Sequence, residues 1–233
     1  MAEQPESREE NGPRIPVALT VFVVLAALEW IWGRWVALLF PPSINGILSV
    51  TASARLLDGL LLVAMARSPY LKWRQIGFQK ETWKRGVRLG VAWSLVLGGA
   101  AATALVVIHL ACGRLPRLFP ADSVWFRLPW PGMGYLLVAV MLSPFVEELV
   151  FRGLLYGALR KRFSVWVVVI LTATLFAAVH GISPARIVPA VFGGALCALS
   201  FEHSRSLWTP IVIHVSGNGF LWGYGLWWAH ILK

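Results

Sequence analysis

A succession of long apolar segments joined by short connectors constrains this chain more than any other feature. Apolar residues dominate seven stretches, roughly 15–40, 48–66, 86–111, 133–159, 165–180, 185–200 and 207–232. A helix needs about 20 such residues to cross the hydrocarbon core of a bilayer. Hydrophobic residues make up 58% of the chain and charged residues 14%, against about 45–50% and 25% in soluble domains. The sequence therefore predicts an all-α polytopic membrane protein, a bundle of about seven transmembrane helices.

The net charge of +10 raises the question of a nucleic-acid partner. In membrane proteins, however, lysine and arginine concentrate in cytoplasmic loops. Residues 67–88 carry seven basic residues and one acidic residue, Glu81, and a second basic cluster spans residues 160–162. We therefore expect both clusters and the N-terminus on the cytoplasmic side and the C-terminus outside. The lipid bilayer is the expected partner, and no nucleic-acid partner is expected.

The domain organisation follows from the same pattern. Residues 1–14 form a polar N-terminal tail, and residues 15–233 are expected to form a single transmembrane helical domain. Residues 112–132, rich in proline and arginine, predict an extracytoplasmic loop. The two cysteines, Cys112 and Cys197, lie in separate apolar segments. A disulfide between them stays open as an alternative, but two unpaired thiols are the preferred interpretation.

Two carboxylates and an arginine interrupt the fourth apolar segment. Glu147 and Glu148 are adjacent, and Arg152 follows Glu148 by four residues. On a helix this spacing places Glu148 and Arg152 on one face, where they can pair. Glu147 then points elsewhere and stays comparatively free. Because ionisable groups at membrane depth are costly, they usually mark a functional site or its support, and a free glutamate in a dry place is a candidate base.

Other polar or small residues in the apolar segments favour structural roles. Arg55 and Asp58 are spaced i,i+3 and predict an internal ion pair. A four-residue spacing of small side chains on the third segment predicts a close approach by a neighbouring helix; its members are Gly86, Gly90, Ser94 and Gly98. Pro144 precedes the glutamates by three residues, where a kink would free carbonyl groups to face a cavity.

Three further polar residues lie at depth. His180 ends the fifth segment, and His214 and Asn218 are spaced i,i+4 on the seventh. Each alone is explained by snorkelling to water or by a helix–helix hydrogen bond. Together with Glu147 they each need a polar partner in an apolar setting, and the simplest solution is that they meet in one buried polar cavity. The residues favour a shared catalytic or ion site over structural hydrogen bonding alone.

Three motifs in order on successive apolar segments carry a family resemblance. They are Glu147-Glu148-x-x-x-Arg152, Phe176-x-x-x-His180 and His214-x-x-x-Asn218. Together they resemble the signature motifs of the CPBP family, the intramembrane proteases related to the CAAX prenyl endopeptidase and also called the Abi family. The resemblance covers about residues 130–225, the expected protease core.

The resemblance implies hydrolysis of a peptide bond inside the bilayer by a glutamic-type mechanism. On this basis Glu147 acts with His180 to activate a water, and His214 and Asn218 donate hydrogen bonds to the developing oxyanion. Arg152 with Glu148 holds the first motif in shape. No cofactor is expected. Zinc is the alternative, with Glu147, His180 and His214 as ligands and water as the fourth, although no HExxH sequence is present.

The substrate implied by the resemblance is a membrane-anchored or hydrophobic protein or peptide, cut near its C-terminus. A prenylated tail, a bacteriocin-like peptide and a C-terminal sorting signal are all open. The expected location is a prokaryotic cell (inner) membrane, crossed several times. A non-enzymatic membrane scaffold or a transporter that uses the same buried polar groups is the alternative.

Overall fold

A computed structural model of the chain describes residues 13–36, 38, 44–67, 71–116, 133–180 and 184–231. Within these ranges the protein is helical, and no strand is found. The helices are α1 (Ile15–Val36), α2 (Ile44–Ala66), α3 (Trp83–Cys112), α4 (Met133–Leu159), α5 (Val165–His180), α6 (Pro184–Ser204) and α7 (Trp208–Ile231). A 3₁₀ turn, Trp73–Ile76, lies between α2 and α3. The polar tail up to residue 12 and most of the predicted 112–132 loop lie outside the described residues.

The expectation of a polytopic helical membrane protein is confirmed. Five of the described helices, α1 to α4 and α6, are long and apolar enough to cross a membrane by length and composition, and α5 is a shorter apolar helix of 16 residues. All seven predicted apolar segments correspond to helices, with ends that differ by a few residues. The first helix, for example, ends at Val36 rather than near residue 40.

The helices alternate in direction, so that the basic connectors meet at one end of the bundle. The guanidinium of Arg160 binds the carboxylate of Glu202 at 3.1 Å, and the amide of Leu207 donates to the carbonyl of Gly77 at 3.0 Å. These contacts join the ends of α4 and α6 to the α2–α3 connector. We call this end the basic face, since it carries most of the exposed basic side chains, among them Lys72, Arg74, Lys80, Lys84, Arg85, Arg162 and Arg205.

Helix α4 contains two π-helical stretches. Residues Leu136–Leu142 and Leu149–Tyr156 are in π-helical register, and the α-helical segment Ser143–Glu148 lies between them. In the first of these stretches the amide of Ser143 donates to the carbonyl of Val138, five residues back. Single π turns inside α-helices are rare and occur often at functional sites. The two glutamates therefore lie between two register changes.

The connector that precedes α3 packs tightly on α4. A Cβ atom at Gly153 would lie 2.9 Å from Cβ of Ile76, which is buried, so only glycine allows this approach. Gly77, which follows, has φ of 79° and faces the ring of Phe201 on α6. The basic face is thus closed by apolar packing beneath its charges.

The predicted ion pair on α2 is confirmed, and a third residue joins it. A guanidinium nitrogen of Arg55 lies 3.4 Å from a carboxylate oxygen of Asp58, whose side chain is 4% exposed. Glu29 of α1 contacts the same guanidinium. The cluster ties α1 to α2 at depth.

The small-residue stripe on α3 is confirmed in its first half only. A Cβ atom at Gly90 would lie 2.7 Å from Cβ of Val212 and 3.0 Å from the carbonyl oxygen of Thr209, so α3 and α7 approach backbone to backbone there. Gly98 has nothing within 4 Å of such an atom. The expectation that Gly98 also serves close packing is wrong. Helix α7 extends past the level of Gly98, since Tyr224 donates to the carbonyl of Pro116 beyond the end of α3, but no described atom approaches Gly98.

The pair Gly90 and Gly98 gives a matched test. We expect Gly90→Ala to cost about 1–3 kcal/mol by overpacking the α3–α7 contact. Gly98→Ala should be neutral or stabilising by about 0.5–1 kcal/mol, since alanine favours a helix interior. Thermal unfolding of both purified variants in detergent measures the difference. Equal midpoints for the two variants would contradict the close approach.

Candidate functional site

Glu148 is the most deeply buried charge of the described chain. Its side chain is 0% exposed and that of Arg152 is 1% exposed, and a guanidinium nitrogen of Arg152 lies 3.0 Å from Oε1 of Glu148. The predicted i,i+4 pair is therefore confirmed. Arg152 also donates a hydrogen bond of 2.9 Å to the carbonyl of Gly194 on α6 and lies over the ring of Phe176 on α5. One side chain thus joins three helices.

His214 is held by the same carboxylate. Its Nδ1 lies 2.8 Å from Oε1 of Glu148. A carboxylate oxygen accepts hydrogen bonds, so we assign Nδ1–H of His214 as the donor. The ring is thereby oriented with Nε2 towards Glu147, at 3.8 Å from Oε2.

His180 is oriented by a second, independent hydrogen bond. Its Nδ1 lies 2.8 Å from the carbonyl oxygen of Phe176, one turn earlier on α5. Because a carbonyl only accepts, Nδ1–H donates and Nε2 faces outward. Nε2 lies 3.6 Å from Oε2 of Glu147, and the ring packs on that of Phe176 with centroids 4.2 Å apart.

Both imidazoles therefore direct Nε2 at the same carboxylate oxygen. The distances of 3.6 and 3.8 Å exceed a direct hydrogen bond, and a polar separation of this size is commonly bridged by a water. The side chain of Glu147 is 13% exposed and lines a cavity of about 250 Å³. The structure thus brings together Glu147, His180 and His214, three of the four residues that the motifs single out as catalytic.

Asn218, the fourth, lines the same cavity. Its side-chain amide donates a hydrogen bond of 3.0 Å to the carbonyl oxygen of Ala139 on α4. Ala139 lies in the π-helical stretch, where the donor to its carbonyl would be residue 144, a proline without an N–H. The expectation that Pro144 frees a carbonyl towards the cavity agrees with this contact. Among the described residues no second acceptor binds this amide, so its other hydrogen is available to a ligand.

Tyr135, Ala139, Ser143 and Leu221 complete the lining of the cavity. The residue motifs did not indicate them. A signal was nevertheless present, because Tyr135, Ala139, Ser143 and Glu147 recur every four residues and therefore share one helix face. The hydrogen bond between Glu148 and His214 was also missed, since no local spacing relates residues on α4 and α7.

Two groups of side chains could be considered for a metal. The ligand atoms of Glu148, Cys197 and His214 lie within 4.8 Å of one another. This group fits a metal poorly, because Glu148 already binds Arg152, and a cation would lie beside the guanidinium. In the alternative zinc set of Glu147, His180 and His214, each imidazole has its Nδ1 anchored, as is usual for ligating histidines, and its Nε2 lies 3.6 or 3.8 Å from Oε2 of Glu147.

The two cysteines are free. Cys112 is exposed at the end of α3, and Cys197 is buried on α6. The interpretation as two unpaired thiols is confirmed.

Comparison with known proteins supports the resemblance. Residues 129–220 match the sequence model of a family described as "Type II CAAX prenyl endopeptidase Rce1-like". The chain is also 23% identical over 86 residues to the Bacillus subtilis (strain 168) protein named "Putative membrane peptidase YdiL". This match covers 37% of the chain and about a third, 35%, of that relative. No solved structure is similar at a significant level. The matched region contains all three motifs, and the predicted family resemblance is confirmed.

The burial of Glu148 and Arg152 makes their pairing testable by stability. We expect Arg152→Met to destabilise the protein by about 3–5 kcal/mol, because it leaves the Glu148 carboxylate buried without its cation. The double variant Glu148→Gln, Arg152→Met should recover part of this loss, since the glutamine is neutral and can still accept from His214. Unfolding midpoints in detergent provide the measurement. A single variant as stable as the parent would show that Arg152 does not neutralise Glu148.

Proposed function

We propose that the chain is an intramembrane endopeptidase that hydrolyses a peptide bond near the C-terminus of a membrane-associated or hydrophobic substrate. The observation that carries the proposal is the meeting of Glu147 with His180 and His214. Two anchored imidazoles face one carboxylate oxygen at distances that admit a water, at the end of a cavity. The similarity to CAAX prenyl endopeptidases supports the same reaction class.

Glu147 and His180 are proposed to activate the water. A water between them donates one hydrogen to Oε2 of Glu147 and the other to the lone pair of His180 Nε2, which is free because Nδ1–H is used on Phe176. Attack on the carbonyl carbon transfers the water's proton to Glu147. The same carboxyl then protonates the departing amine as the C–N bond breaks, so that the proton is returned and Glu147 is regenerated.

His214 and Asn218 are proposed to stabilise the oxyanion. Since Nδ1–H of His214 is used on Glu148, Nε2 donates only when the ring is protonated. The proposed oxyanion role therefore requires the ring to carry both protons when the substrate carbonyl is attacked. Asn218 adds its second amide hydrogen. Donors of this kind are each worth about 3–4 kcal/mol in a dry site.

The preferred mechanism is metal-free, and zinc on Glu147, His180 and His214 is the alternative. Bound zinc would supply Lewis-acid activation of the water. In both mechanisms, Glu148 and the carbonyl of Phe176 orient the two imidazoles through the Nδ1 atoms of the rings. These supporting contacts are therefore compatible with either mechanism.

A prokaryotic cell membrane is the proposed location, and the substrate is a hydrophobic or membrane-anchored peptide or protein. A prenylated tail, a bacteriocin-like peptide and a sorting signal share this chemistry. A scaffold or a transporter is the rival function for the same polar groups, but neither requires two imidazoles to be aimed at one carboxylate oxygen.

Glu147→Gln tests the base directly. The substitution keeps the shape and removes the proton acceptor, so we expect cleavage of a co-expressed substrate to fall by about 10²–10⁴-fold while the unfolding midpoint in detergent changes little. Glu81→Gln, at an exposed carboxylate on the α2–α3 connector, is the matched control and should keep full activity. Full activity of Glu147→Gln, with loss only in a variant of Arg152, would favour the scaffold.

A chelator separates the two mechanisms. We expect purified enzyme to keep its turnover after prolonged treatment with a strong chelator and removal of the chelate, since the preferred mechanism needs no ion. Turnover before and after treatment, with metal content measured on the same sample, checks this. Loss of turnover that zinc alone restores would establish the zinc alternative.

A further inference from the structure

The cavity extends from Glu147 in one direction along α4. Its other α4 residues, Tyr135, Ala139 and Ser143, all precede Glu147. Because α4 ends at the basic face, these residues lie on the side of Glu147 away from that face. A cavity centred on the glutamate would have included residues after it.

The cavity-lining residues of α7 independently indicate the same direction for the cavity. Helix α7 begins at the basic face, where Leu207 binds Gly77, and so it runs opposite to α4. Its lining residues, Asn218 and Leu221, both follow His214 in the chain. Two antiparallel helices thus place the cavity on the same side of the catalytic groups.

Towards the basic face, the interior of the described chain is filled. Between Glu147 and the basic face, several interior residues are 0% exposed, among them Glu148, Leu154, Val168, Ala198 and Leu207. Arg152 and its bond to the carbonyl of Gly194 close the centre of this layer. Neither water nor a peptide can reach Glu147 through it without unpacking the core.

We infer that water and substrate enter from the membrane side opposite the basic face. If the peptidase function proposed above holds, this inference also names the substrate class. The basic face is cytoplasmic by the distribution of lysine and arginine, so the site opens to the outside. The substrate is therefore an exported, membrane-anchored protein whose cleaved segment lies on the extracytoplasmic side.

The size and lining of the cavity restrict the cleaved segment further. Its volume of about 250 Å³ is below the roughly 300–1,000 Å³ of sites for drug-sized ligands, so only a short, locally unfolded stretch fits. Ala139 and Leu221 give an apolar wall, and Glu147, His180 and Asn218 give the polar end. An extended apolar segment next to the scissile bond matches this wall.

Thiol labelling tests the direction of entry without a substrate. In a Cys112→Ala parent, which keeps only the buried Cys197, single cysteines are placed at Leu221 in the cavity, at Lys72 on the basic face and at Arg114 beyond α3. A membrane-impermeant maleimide is applied to right-side-out and to inverted vesicles. We expect Leu221→Cys and Arg114→Cys to label in right-side-out vesicles and to lose labelling in inverted ones, and Lys72→Cys to do the reverse.

If Leu221→Cys labels from the same side as Lys72→Cys, the inference is overturned. It is also overturned if Leu221→Cys labels from neither side while the denatured protein labels fully. Reversed sidedness of Lys72→Cys and Arg114→Cys would overturn the assignment to exported substrates. Ala139→Cys repeats the test on the α4 wall, which guards against misfolding of one variant.

A second measurement separates this inference from the proposed function. New protein C-termini are mapped by mass spectrometry in cells with the parent enzyme and with Glu147→Gln. Termini that depend on Glu147 and lie in extracytoplasmic segments of membrane-anchored proteins are expected. Glu147-dependent termini in cytoplasmic segments would overturn the proposed substrate class but would still support the peptidase function. Absence of any dependent terminus would count against the peptidase, and labelling would still decide the side of entry.

Discussion

The burial of one carboxylate, Glu148, determines how the site is built. A charge with no exposed surface must be paired and hydrogen-bonded, because an isolated buried ion costs far more than the whole folding free energy. Arg152 supplies the countercharge at 3.0 Å, and His214 supplies a hydrogen bond at 2.8 Å to the same oxygen. Arg152 reaches in turn to the carbonyl of Gly194. The contacts of one carboxylate oxygen and its arginine thus bring α4, α6 and α7 together.

The neighbouring carboxylate gains its chemistry from this arrangement. Arg152 pairs with Glu148, and Glu147 instead faces the Nε2 atoms of two imidazoles. Each ring is held by its Nδ1, one on a backbone carbonyl and the other on Glu148. Neither ring can turn its other nitrogen to the cavity without losing that bond. The two anchors therefore fix the orientation of both rings, so that their Nε2 atoms face one point beside Glu147.

Many features of the fold and of the candidate site could be predicted from the local spacing of residues. The other features depend on contacts between helices. The apolar segments predicted the helices, and the i,i+4 relation of Glu148 and Arg152 predicted their pair, because helix geometry alone decides both. By contrast, the bond from Glu148 to His214 and the joining of Glu29 to Arg55 link different helices. The spacing of Gly98 matched that of Gly90, yet only Gly90 meets α7. A periodic pattern defines a helix face, but it does not determine how closely a neighbouring helix approaches each residue on that face.

Pro144 connects the sequence to the cavity most directly. A proline inside a helix removes one backbone donor, and here the π register assigns the missing donor to the carbonyl of Ala139. Leaving that carbonyl unpaired in an apolar setting would be costly, and the amide of Asn218 satisfies it at 3.0 Å. The bond orients Asn218 with one hydrogen spare beside Glu147, so a break in the backbone of α4 positions a side chain on α7. An alanine at position 144 would restore the donor and remove the reason for Asn218 to point there.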